Sequence, residues 1–410
     1  MDEREGFEML LLRNARLLLT EPHAASGEYR DILVAGGKIA AIQDRIEIGN
    51  LSVEETDLQG AYVSPGLVDA HVHFIGATWD DGFTSKTPEI FISDFLRGGV
   101  TTAVGVLGLG YGCEDLRNLN CKVQALRAEG LSAYMYTGNF RFPSPSITGS
   151  APEDIVTLPY VLGVKITITD KFSSHPSPEE MSRLASEAYV AGLQSGKPGL
   201  LHIHVAEYGD PYAYLRKVQE ISGVPSDRFV PTHCNTNRDL LDGAVAYALA
   251  GNPIDFSAIL EPARGCLTSI KASKAIAEIL GKGVAPELIT LSSDGNVGLP
   301  IRDENQKCVG LYMERVLSLW DNVRAMIQDG IEPDLAISFA SRYPAQRLGL
   351  YPAKGTISVG ADADLLAFTN DWTLDRVYMK GRLGLSGGNL LVFSRFEPEM
   401  KRRVDLECSR

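Results

Sequence analysis

The sequence predicts an α/β protein in which a TIM-like (β/α)8 barrel carries a small β-sandwich module built from both chain ends. Eight short apolar segments alternate with stretches of helical periodicity in the middle of the chain. Their repeat of roughly 30 to 40 residues matches one strand and one helix of such a barrel. Segments of alternating polarity, bounded by glycine turns, occupy both ends. We therefore predict a barrel over 63–350 and a β module from 1–62 plus 351–410.

The β module is predicted from two regions that are far apart in the chain. Asp31–Ala35 and Lys38–Ile42 are short apolar segments separated by Gly36-Gly37, a pattern typical of a β hairpin. Near the other end, Gly360–Asp364 leads into the apolar segment Leu365–Phe368. Because both regions have strand-like patterns, we expect them to form one module.

The barrel strands are predicted as nearly continuous apolar runs, because a strand of a parallel barrel is buried on both faces. The stretches between them have apolar residues every three or four positions, as in the predicted helices Pro178–Ser195 and Leu311–Gln328. The eight predicted strands are Leu67–Phe74, Val100–Leu107, Ser132–Phe140, Val161–Thr169, Leu200–Val205, Phe229–Cys234, Ile254–Leu260 and Ile289–Ser293.

The composition excludes several classes of protein. Of the 410 residues, 44% are hydrophobic, which is ordinary for a globular enzyme and argues against a disordered or fibrous chain. The formal net charge of −13, with no basic block, argues against a nucleic-acid or anionic-membrane partner. We see no export signal, no apolar run long enough to cross a bilayer and no CxxC pair among the six cysteines. We therefore expect a cytoplasmic enzyme with free thiols.

Histidines recur at the downstream ends of the predicted strands. His71 and His73 share a face because residues two apart in a strand point the same way, so both imidazoles can reach one metal ion. A lone His-x-His is weak evidence, but the same spacing returns on a second strand. Barrel enzymes carry their chemistry at this rim. The full set, which predicts a metal-dependent hydrolase, is His71, His73, Lys165, His204, His233 and Asp294.

Two residues inside these strands have alternative interpretations. His202 should point inward one layer below His204, where we expect it to support a metal-binding imidazole rather than to bind metal itself. Lys165 lies in an apolar strand, where an unpaired ammonium group is costly. Two nearby divalent ions would favour the neutral amine, which can add CO2 to form a bridging carbamate. Without the histidines, a lysine that extends towards water and pairs with a carboxylate would be the better explanation.

Several segments resemble the amidohydrolase superfamily, and in particular its isoaspartyl (β-aspartyl) dipeptidase branch. The likeness to the superfamily rests on Gly66–His73, Gly163–Asp170, Thr232–Asn235 and Leu291–Asn296. The likeness to the branch rests on the segments Thr87–Glu89, Ile147–Ser150, Gly196–Gly199 and Gly360–Leu365. The resemblance covers nearly the whole chain and implies hydrolysis of an amide bond.

Carried over to this sequence, the resemblance implies a centre of two divalent ions, usually zinc. Asp294 would bind one ion with His71 and His73, while His204 and His233 would bind the second. Carboxylated Lys165 would bridge both ions. The resemblance further implies that a hydroxide held between the ions attacks the amide carbonyl, and that Asp294 passes the hydroxide proton to the leaving nitrogen.

One position of the resemblance concerns the amide carbonyl. Phe140 stands where the branch has a tyrosine that assists the carbonyl, and phenylalanine has no hydroxyl. Tyr134, Tyr136 and Tyr208 are candidates to replace that tyrosine, although each could equally be a packed aromatic residue.

Four further positions concern substrate binding. Phe172 and Thr236 stand where the branch has two arginines that bind substrate carboxylates. Neither side chain can replace the bidentate hydrogen bonding of a guanidinium group to a carboxylate. Asp80 is a shortened form of an acidic residue that meets the substrate amine, and Gly298 replaces a serine contact. We therefore expect a less anionic substrate than an isoaspartyl dipeptide.

These observations lead to one principal function and two alternatives. We predict hydrolysis of an amide C–N bond in a small amide or dipeptide-like molecule. A cyclic-amide hydrolase of the dihydroorotase or hydantoinase kind would use similar metal ligands. A catalytically silent barrel that only binds is the third hypothesis. The resemblance also implies a homo-oligomer.

Overall fold

The computed structural model describes residues 9–20, 29–50, 52–78, 82–303, 305, 307–313 and 315–398. The N-terminal strands are β1 (Leu10–Leu17), β2 (Tyr29–Ala35), β3 (Lys38–Gln43), β4 (Glu54–Asp57) and β5 (Tyr62–Pro65). β2 and β3 pair antiparallel, which confirms the predicted hairpin. Residues 1–8 and 399–410, which we assigned to the β module from sequence, lie outside the described residues.

All eight predicted barrel strands form, and each ends one to three residues earlier than predicted. They pair in parallel from the first to the sixth and again between the seventh and eighth. The strands are β6 (Leu67–Val72), β7 (Val100–Gly105), β8 (Ser132–Gly138), β9 (Val161–Thr167), β10 (Leu200–His204), β11 (Phe229–Thr232), β12 (Ile254–Ser257) and β13 (Ile289–Ser292).

Two backbone hydrogen bonds close the barrel where the ladders are interrupted. Between β11 and β12, the N–H of Cys234 donates to the carbonyl of Asp255 at 3.2 Å. Between β13 and β6, the N–H of Asp294 donates to the carbonyl of His71 at 3.0 Å. Closure brings the downstream ends of all eight strands to one rim, where barrel enzymes carry their sites.

The helices surround the barrel and present apolar faces to it. The predicted helix Pro178–Ser195 is confirmed, and it begins with a capping box in which Ser177 and Glu180 satisfy each other's backbone N–H groups. None of the helices in the described part of the chain combines the length and apolar character needed to cross a bilayer. The helices are α1 (Ile92–Arg97), α2 (Leu116–Glu129), α3 (Ala151–Thr157), α4 (Pro178–Ser195), α5 (Pro211–Ser222), α6 (Arg238–Leu249), α7 (Ala272–Gly281), α8 (Leu317–Gln328), α9 (Pro333–Ser338) and α10 (Arg342–Arg347).

The prediction of a helix from Leu311 to Gln328 is wrong at its start, because α8 begins only at Leu317. Leu311 lies instead in β15 (Cys308–Met313), which forms an antiparallel hairpin with β14 (Gly298–Arg302). Val309 and Leu311 alternate along β15 and are 60% and 43% exposed. These outward apolar side chains have the period of two expected of a strand, and of the two only Leu311 falls within the predicted helix.

The C-terminal strands join the N-terminal ones in a single nine-stranded sheet. They are β16 (Leu365–Phe368), β17 (Leu374–Met379), β18 (Arg382–Ser386) and β19 (Asn389–Leu390), and β16 pairs antiparallel with β5. The module has its own core, in which Leu12, Ile32, Val63, Leu365 and Tyr378 are buried together. Strands from opposite ends of the chain therefore share one sheet and one core.

A buried ion cluster links this sheet to the barrel. The Lys354 ammonium group lies 2.6 Å from Asp362 Oδ2, pairs with Asp364 and donates to the hydroxyl of Ser132 in β8 at 2.7 Å. Lys354 is 5% exposed and Asp364 is 4% exposed. Asp364 thus depends on this one ammonium group for its counter-charge, whereas Asp362 also pairs with Lys38.

We expect Lys354→Met to lower the free energy of unfolding by about 3–5 kcal/mol, because it leaves the buried carboxylate of Asp364 without a counter-charge. Lys38→Met is the matched control, since Lys38 pairs with the same Asp362 but its side chain is 51% exposed. Lys38→Met should lower the free energy of unfolding by less than about 1 kcal/mol. Urea unfolding followed by fluorescence measures both variants. Equal losses of stability in the two variants would contradict the role of Lys354 as the buried counter-charge.

Candidate metal centre

Three predicted ligands meet where β6 and β13 end. Asp294 Oδ1 lies 3.2 Å from Nε2 of His71 and 3.2 Å from Nε2 of His73. One ligand atom from each of the three residues lies within 4.8 Å of the other two. Imidazole nitrogen and carboxylate oxygen are the donors that zinc uses in proteins. This group can therefore hold one divalent ion.

Lys165 reaches the same point from β9. Its amine nitrogen lies 3.4 Å from Nε2 of His71, and the side chain is fully buried. Burial lowers the pKa of Lys165 to about 7, although Asp294 and Asp255 raise it in part. A substantial share of the amine is therefore neutral near pH 7. Complete burial also removes the alternative of a lysine that extends to water.

His204 and His233 form the other side of the group. Their ring centroids are 4.5 Å apart, and both residues line the same cavity as the first three ligands. His204 Nε2 lies 2.8 Å from Asp170 Oδ2, and His233 Nδ1 lies 2.5 Å from the hydroxyl of Ser257. Each of these hydrogen bonds uses one ring nitrogen, which leaves the other as a candidate metal donor. Asp294 Oδ2 is 3.7 Å from His233 Nδ1, so this carboxylate lies between the two groups.

Burial favours the neutral form of three imidazoles of the site. Burial lowers the pKa of His71, His204 and His233, and the positive charge of Lys165 lowers each of them further. Asp170 opposes this effect at His204 without reversing it. Because metals bind the neutral imidazole, burial prepares these side chains as ligands at neutral pH.

Two candidate ligands follow their strands in an unusual backbone conformation. His233 has φ 68° and Asp294 has φ 56°, in the left-handed region that non-glycine residues seldom adopt. The hydroxyl of Thr236 supports the first turn by donating to the carbonyl of His233 at 2.7 Å. Such conformations concentrate at functional sites, where the surroundings hold them in place.

Below the ligands lies a layer of buried polar side chains. His202 Nε2 lies 2.9 Å from Nδ1 of His71, the candidate ligand that we expect it to support. Tyr136 stacks on His202 with 5.0 Å between ring centroids. Asp69 accepts from the backbone N–H of Ser293 at 2.9 Å and joins β6 to β13. Tyr136 is 1% exposed, so it does not take the place of the tyrosine missing at Phe140.

Sequence reasoning missed the acidic and hydroxyl partners of the ligands. Asp170 and Ser257 hold His204 and His233, and Asp255 accepts from three hydroxyls between β11 and β13. Asp255 did carry a signal, because it is a charged residue inside an apolar strand. The same signal singled out Lys165.

The cavity above the ligands has a volume of about 360 Å³ and is lined in part by the predicted substrate residues. Phe140 lies 4.9 Å from the His204 ring between centroids, and its ring centroid is 5.9 Å from the Lys165 amine. Phe172 and Thr236 line the wall. Of the three alternative tyrosines, Tyr208 also lines the cavity and is 55% exposed.

The two remaining predicted substrate contacts are placed differently. Gly298 is the first residue of β14, and the residues on either side of it, Val297 and Leu299, line the cavity. A side chain at Gly298 would meet the carbonyl of Ser85 at 3.2 Å. Asp80 lies outside the described residues.

Comparison with known proteins agrees with this geometry. Residues 62–384 match the family model described as the Amidohydrolase family. A crystal structure of β-aspartyl dipeptidase from Fervidobacterium islandicum AW-1, in complex with β-Asp-Leu dipeptide, has a TM-score of 0.87 and 32% identity. That match covers 96% of this chain and 100% of the dipeptidase. The dipeptidase-like branch predicted from sequence is thereby confirmed.

Two other matches are more distant. Adenine deaminase 2 of Rhizobium meliloti (strain 1021) is 25% identical over 401 residues, which cover 90% of this chain and 59% of the deaminase. The chain thus spans about three-fifths of that relative's length. Dihydropyrimidinase from Brevibacillus agri NCHU1002 has a TM-score of 0.65 and 17% identity over 94% of this chain and 97% of that one, a likeness of fold alone.

The family match and the dipeptidase likeness confirm the predicted fold class, a TIM-like barrel with a β-sandwich. They also confirm the predicted class of enzyme, a hydrolase that acts on C–N bonds. The rim of the barrel holds imidazole, carboxylate and amine groups around one cavity. On these grounds the chain belongs to the amidohydrolase family.

Proposed function

We propose that this protein is a binuclear metal-dependent hydrolase that cleaves an amide C–N bond in a small molecule. The observation that carries the proposal is the group formed by His71, His73 and Asp294, with the Lys165 amine 3.4 Å from one of its nitrogens. Zinc is the ion that we propose, because it favours imidazole and carboxylate donors. A homo-oligomer and a cytoplasmic location remain parts of this proposal.

The donor set fits two divalent ions. His71, His73 and Asp294 would hold one, and His204 and His233 would hold the other. Lys165 would serve both as a carbamate, since its lowered pKa makes available the neutral amine that adds CO2. When bound, such ions supply Lewis acidity and a water-derived nucleophile at neutral pH.

The protein's own groups orient the reaction and move its proton. Asp294 lies between the two groups of imidazoles, where its carboxylate can take a proton from the attacking water and give it to the leaving nitrogen. Asp170 and Ser257 fix the rings of His204 and His233 through hydrogen bonds. Phe140 covers the Lys165 amine and keeps bulk water away from it.

A substrate panel tests this proposal. Zinc-loaded protein should hydrolyse a linear amide among dipeptides and N-acyl amino acid amides. The activity should disappear on chelation and return with zinc. Chromatography of the released amine measures it.

Three other results would change the assignment. Ring opening of hydantoins or dihydropyrimidines without linear cleavage would identify a cyclic-amide hydrolase. Release of ammonia from adenine, which belongs in the panel because of the deaminase relatives, would identify a deaminase. No hydrolysis at full metal occupancy would favour a barrel that only binds.

A further inference from the structure

We propose that the cavity above the metal centre selects an uncharged substrate that carries an apolar group and N–H donors, and that it rejects a carboxylate near the scissile amide. The inference rests on the proposed function, because it concerns the substrate of that same site. It follows from the wall of the cavity, the position of its cations and the direction of its hydrogen bonds.

The wall above the metal ligands is largely apolar. The side chains that form it are Phe140, Phe172, Val205, Leu260, Val297 and Leu299. Leu260, Val297 and Leu299 belong to one hydrophobic cluster with Ala77 and Ile259, so this part of the wall is packed from behind. Apolar surface of this kind is stabilised by an apolar substrate group that displaces water from it.

Cations are poorly placed to bind a carboxylate inside the cavity. The described residues that line it include two lysines and no arginine. Lys165 is fully buried at the floor beneath Phe140. Lys171 is exposed at the mouth, with its amine 4.7 Å from the centroid of the Phe172 ring, and the exposed carboxylate of Glu207 lines the same cavity. A carboxylate bound between the floor and the mouth of the cavity would lose its hydration without gaining an ion pair.

Three residues that line the cavity donate their hydroxyl protons to backbone carbonyls, so their oxygens are left to act as acceptors. Thr236 donates to His233 at 2.7 Å, Thr268 donates to Thr236 at 3.2 Å, and Ser269 donates to Cys266 at 2.7 Å. A hydroxyl oxygen keeps lone pairs after its proton is used. These oxygens can accept from the N–H groups of a carboxamide, whereas a carboxylate has no proton to offer them.

Three hydroxamates test the inference by binding rather than by turnover. All present the same metal-binding head. The first carries a phenylpropanoyl tail, the second is the monohydroxamate of succinic acid, and the third is its terminal carboxamide. Calorimetric titration of zinc-loaded protein should show that the phenylpropanoyl and carboxamide probes bind at least about tenfold more tightly than the carboxylate probe. Equal or tighter binding of the carboxylate probe would overturn the inference.

Variants separate the wall from the metal centre. Phe172→Arg should tighten binding of the carboxylate probe by about tenfold relative to the phenylpropanoyl probe. Val309→Arg is the matched control, because it adds the same charge at a side chain of β15 that is 60% exposed and does not line the cavity. It should leave the order of the probes unchanged. A similar shift in both variants would mean that overall charge, not the wall, sets the preference.

A second variant tests the acceptors. Thr236→Val removes one hydroxyl and should weaken the carboxamide probe more than the phenylpropanoyl probe, because loss of the bond to the His233 carbonyl acts on both probes alike. Equal weakening of both would contradict the role of the hydroxyl. If no hydroxamate binds in a zinc-dependent way, the proposed metal centre itself fails. That result differs from zinc-dependent binding with a preference for the carboxylate, which overturns the inference alone.

Discussion

Asp294→Asn is expected to lower amide turnover by about 10²–10⁴-fold in metal-loaded protein. Asp294 Oδ1 lies 3.2 Å from Nε2 of both His71 and His73, while its Oδ2 faces His233 at 3.7 Å. Asparagine has nearly the same shape but cannot take up a proton. The rate constant kcat on the best amide of the panel measures the effect, and mass spectrometry measures bound zinc in the same sample.

The zinc content distinguishes two roles of Asp294, proton transfer and metal binding. If zinc stays at the wild-type level, the loss of turnover reports proton transfer, and if zinc falls as well, the carboxylate is also a ligand. Asp329→Asn is the control, since Asp329 pairs with Lys274 and its side chain is 42% exposed. It should leave kcat unchanged. Turnover at the wild-type rate in Asp294→Asn would show that Asp294 does not carry the proton.

Lys165→Met should abolish measurable turnover and reduce bound metal from two equivalents per chain to one or fewer. Methionine fills a similar buried volume without an amine, so the barrel should remain folded. Changes to residues that merely support metal ligands typically cost about 10–100-fold in metal affinity or activity. Loss of a group that serves both ions should cost more. Kinetics and metal analysis measure the two effects.

The carbamate has its own readout. Wild-type protein reloaded with zinc in ¹³C-labelled bicarbonate should gain a carbamate carbon signal by NMR, and Lys165→Met should lack it. Lys274→Met, at a side chain that is 62% exposed, should retain the signal, the metal and the activity. A Lys165→Met protein that keeps two ions and full turnover would refute the bridging role.

The barrel could be predicted from sequence because strands buried on both faces leave a clear pattern of apolar runs between amphipathic helices. The strand ends were less clear. His233 and Asp294 leave the strand conformation at positive φ. An apolar run alone does not show at which residue the strand ends. The hairpin of β14 and β15 was missed because Val309 and Leu311 are apolar and outward-facing, which contradicts the usual expectation that apolar residues mark a buried face.

The candidate ligands could be predicted because the rim of a barrel gathers residues by their place at strand ends. Their partners could not. Asp170 reaches His204, and Ser257 reaches His233, through contacts between neighbouring strands whose side-chain directions the sequence does not specify. The sequence also did not show that Tyr136 is buried. It stacks on His202 below the cavity and so cannot replace the tyrosine absent at Phe140.

An anomalous-diffraction map at the zinc edge, from crystals of metal-loaded protein, tests the central claim most directly. We expect two peaks about 3.5–4 Å apart. One should lie within about 2.3 Å of donors from His71, His73 and Asp294, and the other within that distance of His204 and His233. Both should border on density that extends from the Lys165 amine. A single peak, or two peaks with Lys165 beyond ligand distance of both, would contradict the account.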